Sequence, residues 1–210
     1  MAKPWLTKRK AETFYKKAKQ EKYRARSAYK LIEINKKYKL IKPGNVVVDC
    51  GAAPGSWSQV ALEIVGEDGF VLAIDILPVA PLKGSFDFLQ ADLTKPSIIE
   101  KIRKNLPWKA DVVISDAAPE FSGIRERDVG LTLQLNKTIF KIAKEILKKD
   151  GNFVCKSFQG PELKDFISEV KKDFKTVKTT KPSASLKKSA EVYVIAKNFL
   201  KRKDLNRKNF

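Results

Sequence analysis

The stretch that decides the fold of this chain is Asp49-Cys50-Gly51-Ala52-Ala53-Pro54-Gly55-Ser56-Trp57, which follows the apolar run Val46-Val47-Val48. Three β-branched residues predict a buried strand, and the small residues after them let the backbone turn sharply and approach a ligand closely. Residues 56–65 have the pattern of a helix, whose first N–H groups would face the space above the turn. The turn alone is equally compatible with a plain strand–turn–helix connection and with a nucleotide-type pocket.

Two later acidic residues favour the pocket. Asp75 ends the apolar run at 70–74 and lies about 20 residues beyond the turn, where doubly wound folds place the acid that binds ribose hydroxyls. Asp92 follows a third strand-like run at 86–90. It is either a contact to the base of an adenine nucleoside or a turn or helix-cap residue. The sequence therefore predicts a nucleoside site above the glycine turn, residues 51–55.

Strand-like and helix-like segments alternate along the chain. We predict strands near 45–49, 70–75, 86–90, 110–116, 151–157, 174–180 and 191–197, and helices near 27–38, 56–65, 96–104, 127–149 and 161–172. This alternation predicts an α/β fold with a mostly parallel seven-stranded sheet and helices on both of its faces. The last two strands are joined without a helix, so one strand near the C-terminus is expected to run antiparallel.

The charge of the chain indicates a polyanionic partner, because the formal net charge is +19 over 210 residues. Residues 1–42 carry 15 Lys or Arg against three acids, and residues 197–210 carry six against one. We therefore predict a basic N-terminal RNA-binding segment at 1–42, a central domain at 43–197 and a basic C-terminal tail at 198–210. Aromatic residues alternate with the N-terminal basic residues, which suits phosphate contacts combined with base stacking. This favours RNA over a membrane surface or a merely solubilising tail.

The composition also argues against several classes. The chain has no run of 18 apolar residues and no signal peptide, so we expect it neither to span a membrane nor to be exported, and we place it in the cytoplasm. Because it has no His and two Cys, no metal site is expected.

Charged residues recur where the predicted strands end. Asp116 ends the predicted strand at 110–116, and Lys156 follows the apolar run Phe153-Val154-Cys155. A lysine at the end of a buried strand is unfavourable unless it has a partner or a function. Glu191, at the start of the last strand, is a candidate partner. Each residue alone reads as a surface or capping charge, but together they indicate a site at the carboxyl edge of the sheet.

Five motifs along the chain together resemble those of a known protein family. They are the glycine turn, Ser115-Asp116-Ala117-Ala118-Pro119, Phe153-Val154-Cys155-Lys156, Lys181-Pro182-Ser183-Ala184-Ser185 with Ser189 and Glu191, and the N-terminal Arg26-Ser27-Ala28-Tyr29-Lys30-Leu31. Together they resemble the FtsJ/RrmJ family of S-adenosylmethionine-dependent RNA 2'-O-ribose methyltransferases, over residues 24–197. The resemblance implies a Rossmann-like methyltransferase fold with S-adenosylmethionine as cofactor. It implies a catalytic set of Lys30, Asp116, Lys156 and Glu191, and cofactor contacts at Gly55, Trp57, Asp75, Asp92 and Asp116.

The resemblance also implies a substrate, namely a uridine in large-subunit (23S-type) ribosomal RNA, free or in the large ribosomal subunit. A transfer RNA is the alternative substrate, because relatives share the catalytic set and differ in their RNA-binding ends. A non-catalytic RNA-binding or ribosome-assembly protein on the same scaffold is the alternative from another class. An NAD dehydrogenase is disfavoured, because the turn lacks the full G-x-G-x-x-G pattern. Lys156 is either a general base or a group that orients the hydroxyl electrostatically.

Overall fold

In the computed structural model of the chain, residues 13–119, 123–186 and 189–200 are described, apart from the side chains at 125 and 126. Within them, seven strands form one sheet. The strands are β1 (Val46–Cys50), β2 (Phe70–Asp75), β3 (Phe86–Gln90), β4 (Ala110–Ser115), β5 (Leu147–Phe158), β6 (Phe174–Thr180) and β7 (Glu191–Phe199). The helices are α1 (13–20 in its described part), α2 (Ala28–Tyr38), α3 (Ser56–Val65), α4 (Ile98–Asn105), α5 (Arg125–Ile146) and α6 (Pro161–Lys171).

The strands lie in the order β3-β2-β1-β4-β5-β7-β6, and β7 alone runs antiparallel to its neighbours. The predicted α/β fold, with a mostly parallel sheet and one antiparallel strand near the C-terminus, is confirmed. The chain leaves β1 toward β2 on one side and later returns to β4 on the other side. This reversal opens a crevice above the carboxyl ends of β1 and β4, where α/β sheets bind their ligands.

The sheet is covered on both faces because its central strands are apolar on both faces. Every residue of β1 and β4 is buried. One face packs against α4, α5 and α6 through Ile102, Phe140 and Phe166. The other face packs against α2 and α3 through Leu31 and Trp57. Burying each of these side chains contributes about 1.5–3 kcal/mol to the free energy of folding.

The prediction of a helix over 127–149 is wrong at its C-terminal end, because α5 stops at Ile146 and β5 begins at Leu147. Leu147 pairs with Ala110 of β4 and is fully buried, and the register of the two strands shifts before Val112. The helical pattern of the local sequence is thus overridden by pairing with a distant strand.

The predicted division of the chain at residue 43 stays a prediction. Residues of α2 and the segment after it, Leu31, Leu40 and Ile41 among them, share one hydrophobic cluster with Val47 and Trp57. Of the predicted C-terminal tail, residues 201–210 lie outside the described residues. Among the helices that the structure describes, none is both long and apolar enough to cross a membrane.

Candidate active site

A cavity of about 710 Å³ lies above the carboxyl ends of β1, β2 and β4. This volume falls within the usual range for small-molecule sites. Its wall includes Gly51 and Ala53 of the glycine turn and four residues that the sequence analysis selected: Asp75, Asp92, Asp116 and Lys156. Asp75 ends β2, Asp92 and Asp116 follow β3 and β4, and Lys156 lies two residues before the end of β5. They meet because the carboxyl ends of parallel strands lie at the same edge of a sheet.

Asp75 at the end of β2 holds two loops with one carboxylate. Its Oδ2 accepts a hydrogen bond from the Ala53 N–H at 2.8 Å, and its Oδ1 accepts one from the Leu77 N–H at 2.9 Å. A carboxylate has about four acceptor positions, so two remain for a ligand. Asp75 can therefore position the glycine turn and accept hydrogen bonds from ribose hydroxyls at the same time.

Asp92 is a turn residue that also reaches the cavity. Its Oδ1 accepts hydrogen bonds from the N–H and the hydroxyl of Thr94, and these bonds, with help from Lys95, lower the pKa of Asp92. Asp92 is therefore a turn residue, which was one of its two predicted roles. Its contact with a nucleoside base stays a prediction.

Gly55 and Trp57 do not form part of the cavity wall. Gly55 has a φ of +100°, and a Cβ at this position would lie 2.6 Å from Nη1 of Arg24. The indole of Trp57 is 2% exposed, donates a hydrogen bond from Nε1 to the Ser27 carbonyl oxygen at 2.9 Å, and stacks on Tyr193. The cofactor contacts predicted for these two residues stay a prediction, and the Gly55 N–H itself donates to the Ala52 carbonyl oxygen at 2.6 Å. The first N–H groups of a helix, which have no partner within it, are available for such contacts.

The structure brings together the four residues of the predicted catalytic set, here called the tetrad: Lys30 of α2, Asp116 after β4, Lys156 of β5 and Glu191 of β7. The Lys30 Nζ lies 2.7 Å from Glu191 Oε1 and 4.0 Å from Asp116 Oδ1. The Lys156 Nζ lies 3.4 Å from Asp116 Oδ1 and donates to the Asp116 carbonyl oxygen at 2.5 Å. Two ammonium and two carboxyl groups thus form one charge-balanced cluster beside the cavity.

The electrostatics of Glu191 keep it ionised. Burial alone would raise the pKa of this carboxyl, but the Lys30 ammonium, the Ser185 hydroxyl and Lys156 together hold it below its usual value. Ser185 donates to Glu191 Oε1 at 2.8 Å. The loop between β6 and β7 that carries Ser185 is also held to α2, because the Ser183 N–H and hydroxyl both donate to the Glu33 carboxylate at 2.7 Å.

Tyr193 is a residue of this site that the sequence analysis missed. Its ring is fully buried, and its hydroxyl lies 2.7 Å from Asp116 Oδ1 and 3.1 Å from Glu191 Oε1. Burial and the two carboxylates raise its pKa well above the ordinary value, so the hydroxyl keeps its proton and donates. The signal for Tyr193 was its position two residues after Glu191, on the same face of one strand.

Asp49 is a second group that the sequence analysis quoted without giving it a role. It is fully buried, and its Oδ2 accepts a hydrogen bond from the Ser58 hydroxyl at 2.7 Å. Its Oδ1 has no hydrogen-bond partner among the described residues. Burial raises the pKa of Asp49 to about 7, which the Ser58 hydrogen bond partly opposes and the carboxylates of Asp116 and Asp75 reinforce.

The raised pKa of Asp49 makes the stability of the protein depend on pH. Between the ordinary Asp pKa of 3.8 and about 7, the folded state binds a proton that the unfolded state has released. The free energy of unfolding therefore falls as the pH rises through this interval, by on the order of 4 kcal/mol from this residue. We expect Asp49→Asn to remove that contribution, as measured by urea unfolding at pH 5 and pH 8. Asp87→Asn, a change at an exposed carboxylate of β3, is the control, and an Asp49→Asn protein with the wild-type pH dependence would contradict the assignment.

In the part of the chain that the structure describes, no group of His, Cys, Asp and Glu is arranged to hold a metal ion. Both cysteines, Cys50 and Cys155, are buried with free thiols whose pKa is raised by burial.

Comparisons with known proteins identify the family of the chain. The chain matches the family model described as FtsJ-like methyltransferase over residues 23–199. It is 48% identical over 200 residues to the ribosomal RNA large subunit methyltransferase E of Methanothermobacter thermautotrophicus, covering 95% of each chain. It is 45% identical over 210 residues to the protein of the same name from Methanobrevibacter smithii, covering 100% of each.

Solved structures show the same fold. A structure described as a ribosomal RNA methyltransferase from Plasmodium falciparum superposes with a TM-score of 0.77 at 32% identity, covering 86% of this chain and 100% of that one. Human methyltransferase-like protein 13 in complex with SAH has a TM-score of 0.56 at 15% identity, over 84% of this chain and 81% of that one, and shows the fold alone. The family match confirms the prediction that the chain is a methyltransferase and that its cofactor is S-adenosylmethionine. By its sequence over nearly the whole domain and by its fold, the chain belongs to the FtsJ-like methyltransferase family.

Proposed function

We propose that this protein transfers a methyl group from S-adenosylmethionine to a ribose 2'-hydroxyl of large-subunit ribosomal RNA. The acceptor nucleotide is a uridine. The protein works in the cytoplasm, on this RNA or on the large ribosomal subunit. The observation that carries the proposal is the convergence of the tetrad at the edge of the cavity. The names of the two archaeal relatives support the choice of RNA.

The residues around the cavity fit S-adenosylmethionine. Asp75 has acceptor positions for the ribose hydroxyls, and the N-terminus of α3 lies behind the glycine turn. Ile76 and Leu77 are 64% and 60% exposed and line the cavity, so a flat apolar ring such as adenine would cover them. The small residues Gly51 and Ala53 leave room for the ligand against the turn.

The tetrad supplies what the acceptor hydroxyl needs. When bound, S-adenosylmethionine provides a methyl group on a positively charged sulfur. A ribose hydroxyl is a weak nucleophile at neutral pH, so it must be held in line with that methyl group and must lose its proton during attack. Lys156 lines the cavity, whereas Lys30 is turned toward Glu191. We therefore assign to Lys156 the contact with the acceptor hydroxyl.

The pairing within the tetrad supports the electrostatic role of Lys156. Its Nζ has two acceptors on Asp116, the carbonyl oxygen and Oδ1, and each lysine of the tetrad has a carboxylate partner. An ammonium held in this way donates a hydrogen bond to the hydroxyl oxygen and stabilises the negative charge that develops there, while the proton leaves to water. In the general-base role, the neutral amine of Lys156 accepts the proton itself. Lys156→Arg separates the two roles, because arginine keeps the charge and cannot accept the proton.

The hydroxyl of Tyr193 should matter for turnover. We expect Tyr193→Phe to lower kcat about tenfold, because Asp116 and Glu191 lose a shared charge-assisted hydrogen bond, while the ring still packs on Trp57. Affinity for S-adenosylmethionine should stay unchanged. Tyr29→Phe is the matched control, since this buried tyrosine donates to Glu21 and not to the tetrad. Equal kcat values for the two variants would remove the Tyr193 hydroxyl from the mechanism.

Residues 13–27, here called the N-terminal arm, provide a basic surface close to the tetrad. Ala18 of α1 is buried and packs in one cluster with Tyr29 of α2 and Ala184 of the β6–β7 loop. Lys16 and Lys19 of the same helix are exposed. The arm therefore presents cations beside the loop that holds Glu191, where the phosphates of a bound RNA would lie. Lys201, Arg202 and Lys203, which we also expect to bind phosphates, lie outside the described residues.

The salt dependence of RNA binding tests this surface. Each lost phosphate contact lowers the slope of log affinity against log salt by about 0.7 to 0.9. We expect the double variant Lys16→Ala/Lys19→Ala to flatten the slope by about 1.5, measured by fluorescence anisotropy of a labelled ribosomal RNA fragment in increasing KCl. Lys101→Ala/Lys104→Ala, at exposed positions of α4, is the control. If the Lys16→Ala/Lys19→Ala variant has the same slope as the control variant and the wild type, these two lysines do not bind phosphates.

The proposed function is tested by incubating the protein with methyl-labelled S-adenosylmethionine and total cellular RNA, and then mapping the label. We expect 2'-O-methylated uridine in large-subunit ribosomal RNA, formed about two to four orders of magnitude more slowly by Lys156→Ala. Label in transfer RNA would replace the proposed substrate by the alternative one. RNA binding without transfer from either naked RNA or isolated large subunits would instead indicate a non-catalytic RNA-binding protein.

A further inference from the structure

The short segment between α1 and α2 holds the two loops that border the cavity. The guanidinium of Arg24 donates from Nη1 to the Pro54 carbonyl oxygen at 3.0 Å and from Nη2 to the Pro81 carbonyl oxygen at 2.9 Å. The Arg24 N–H donates to Oε1 of Gln59, and Nε2 of Gln59 donates to the Lys22 carbonyl oxygen. Arg24 is thus anchored to α3 through its backbone while its side chain bridges the two loops.

Both of these loops carry parts of the cavity wall. Pro54 belongs to the glycine turn, which contributes Gly51 and Ala53 to the wall. Pro81 belongs to the segment between β2 and β3, which begins with Ile76 and Leu77 of the same wall. The loops are joined near the cavity by the hydrogen bond from Ala53 to Asp75 and, farther out, by Arg24. Arg24 therefore helps to set the separation of two walls without touching the cavity itself.

The local geometry is specific for arginine. The planar guanidinium presents its donors in a rigid fork, so it can hold two carbonyl groups at a defined distance. Gly55 leaves the space for it, since a Cβ at residue 55 would lie only 2.6 Å from Nη1 of Arg24. A lysine has a single ammonium on a flexible stem and does not reproduce this planar bridge. The side chain of Arg24 packs closely against the glycine turn because residue 24 is an arginine and residue 55 is a glycine.

The segment that carries Arg24 also connects the basic surface of α1 to the tetrad. Before Arg24, the arm carries the exposed lysines of α1. After it, the Ser27 hydroxyl hydrogen-bonds to the Ser56 hydroxyl at 2.7 Å, the Ser27 carbonyl oxygen accepts from Trp57, and α2 leads to Lys30 of the tetrad. The arm and the glycine turn are therefore connected by direct hydrogen bonds.

We propose that Arg24 is a positioning residue that fastens the two cavity loops to the N-terminal arm, so that RNA and the cofactor each strengthen the binding of the other. The inference rests on the proposed function for the identity of both ligands. RNA that binds the arm holds Arg24 over the loops, and a ligand that holds the loops also favours the bound position of the arm. By thermodynamic linkage the two effects on affinity are equal.

The experiment measures the dissociation constant of S-adenosylhomocysteine, the product form of the cofactor, by calorimetry with and without a saturating large-subunit ribosomal RNA fragment. For the wild type we expect RNA to tighten this binding about tenfold. For Arg24→Ala we expect the affinity without RNA to fall about tenfold and the effect of RNA to disappear. In turnover assays, the KM for S-adenosylmethionine should rise while kcat at saturation stays within a few-fold of wild type.

Two further variants separate positioning from folding and from loss of charge. Arg24→Lys keeps the charge but not the fork, and we expect it to lie between wild type and Arg24→Ala in both measurements. Lys19→Ala removes a charge from the same arm, and we expect weaker RNA binding with an unchanged affinity for S-adenosylhomocysteine without RNA. If Arg24→Ala fails to fold, as judged by its thermal unfolding, Arg24→Lys carries the test.

Two results would overturn the inference: a wild-type protein whose affinity for S-adenosylhomocysteine is the same with and without RNA, or a folded Arg24 variant that keeps the wild-type coupling. Failure of the proposed function looks different. In that case the wild type transfers no methyl group to RNA, whatever the coupling between the two ligands.

Discussion

Replacing Lys156 with alanine is expected to lower the turnover of RNA methylation by about two to four orders of magnitude. The reason is that Lys156 is the tetrad cation that lines the cavity, and its Nζ is held by two oxygens of Asp116. The affinity for S-adenosylmethionine should change little, because the variant keeps Asp75, which we expect to bind the ribose, and the glycine turn. Single-turnover methylation rates, together with equilibrium dialysis of the labelled cofactor, measure the two quantities separately.

Lys156→Arg tells the two roles of the lysine apart. Arginine stays charged and cannot accept a proton at any accessible pH, so a required general base makes this variant as inactive as Lys156→Ala. An electrostatic role predicts that Lys156→Arg keeps more activity than Lys156→Ala, since a cation remains near the hydroxyl. Lys149→Ala, at an exposed position near the amino end of β5, is the matched control. Wild-type turnover in Lys156→Ala would remove the residue from the mechanism.

Replacing Asp75 with alanine is expected to raise the dissociation constant of S-adenosylmethionine by about 100-fold, since several hydrogen bonds to one charged group are lost. The ribose hydroxyls lose their acceptor, and the N–H groups of Ala53 and Leu77 lose theirs. The KM for the cofactor should rise in parallel, whereas kcat at saturating cofactor should stay within a few-fold of wild type. Equilibrium dialysis and initial rates over a range of cofactor concentrations provide the comparison.

Two variants control for structural damage at Asp75. Asp75→Asn keeps one acceptor oxygen, which can serve the N–H of Ala53 or of Leu77 but not both, so an intermediate affinity is expected. Asp87→Ala removes an exposed carboxylate from the neighbouring strand β3 and should leave the affinity unchanged. A drop in kcat with an unchanged dissociation constant would mean that Asp75 acts on the reaction and not on cofactor binding.

The elements of the fold were largely predictable because local patterns and tertiary structure agree. The central strands β1 and β4 are rich in Val and Ile, contain one aspartate each, and are buried on both faces. The exception is Leu147, which continues the helical pattern of α5 but lies in β5. Its pairing with Ala110 could not be predicted from the surrounding residues, because the partner is distant in the sequence.

The candidate site was predictable in part. Asp75, Asp116 and Lys156 stood out because each follows or ends an apolar strand, and the ends of parallel strands must meet. Glu191 stood out as a candidate partner of Lys156 because it begins the last strand, whereas Lys30 was selected through the family resemblance alone. Lys30 comes from a helix that packs on one face of the sheet, and only that packing brings its Nζ to 2.7 Å from Glu191.

The sequence by itself thus determined the order of strands and helices, the position of the glycine turn and the edge of the sheet at which the charged residues gather. Each of these follows from periodicity along the chain or from the ends of strands. Only the tertiary structure decided which lysine pairs with which carboxylate, that Tyr193 bridges two of them, and that Arg24 holds two loops together. Such contacts depend on distances and directions between side chains from separate elements, and these are set by packing in three dimensions.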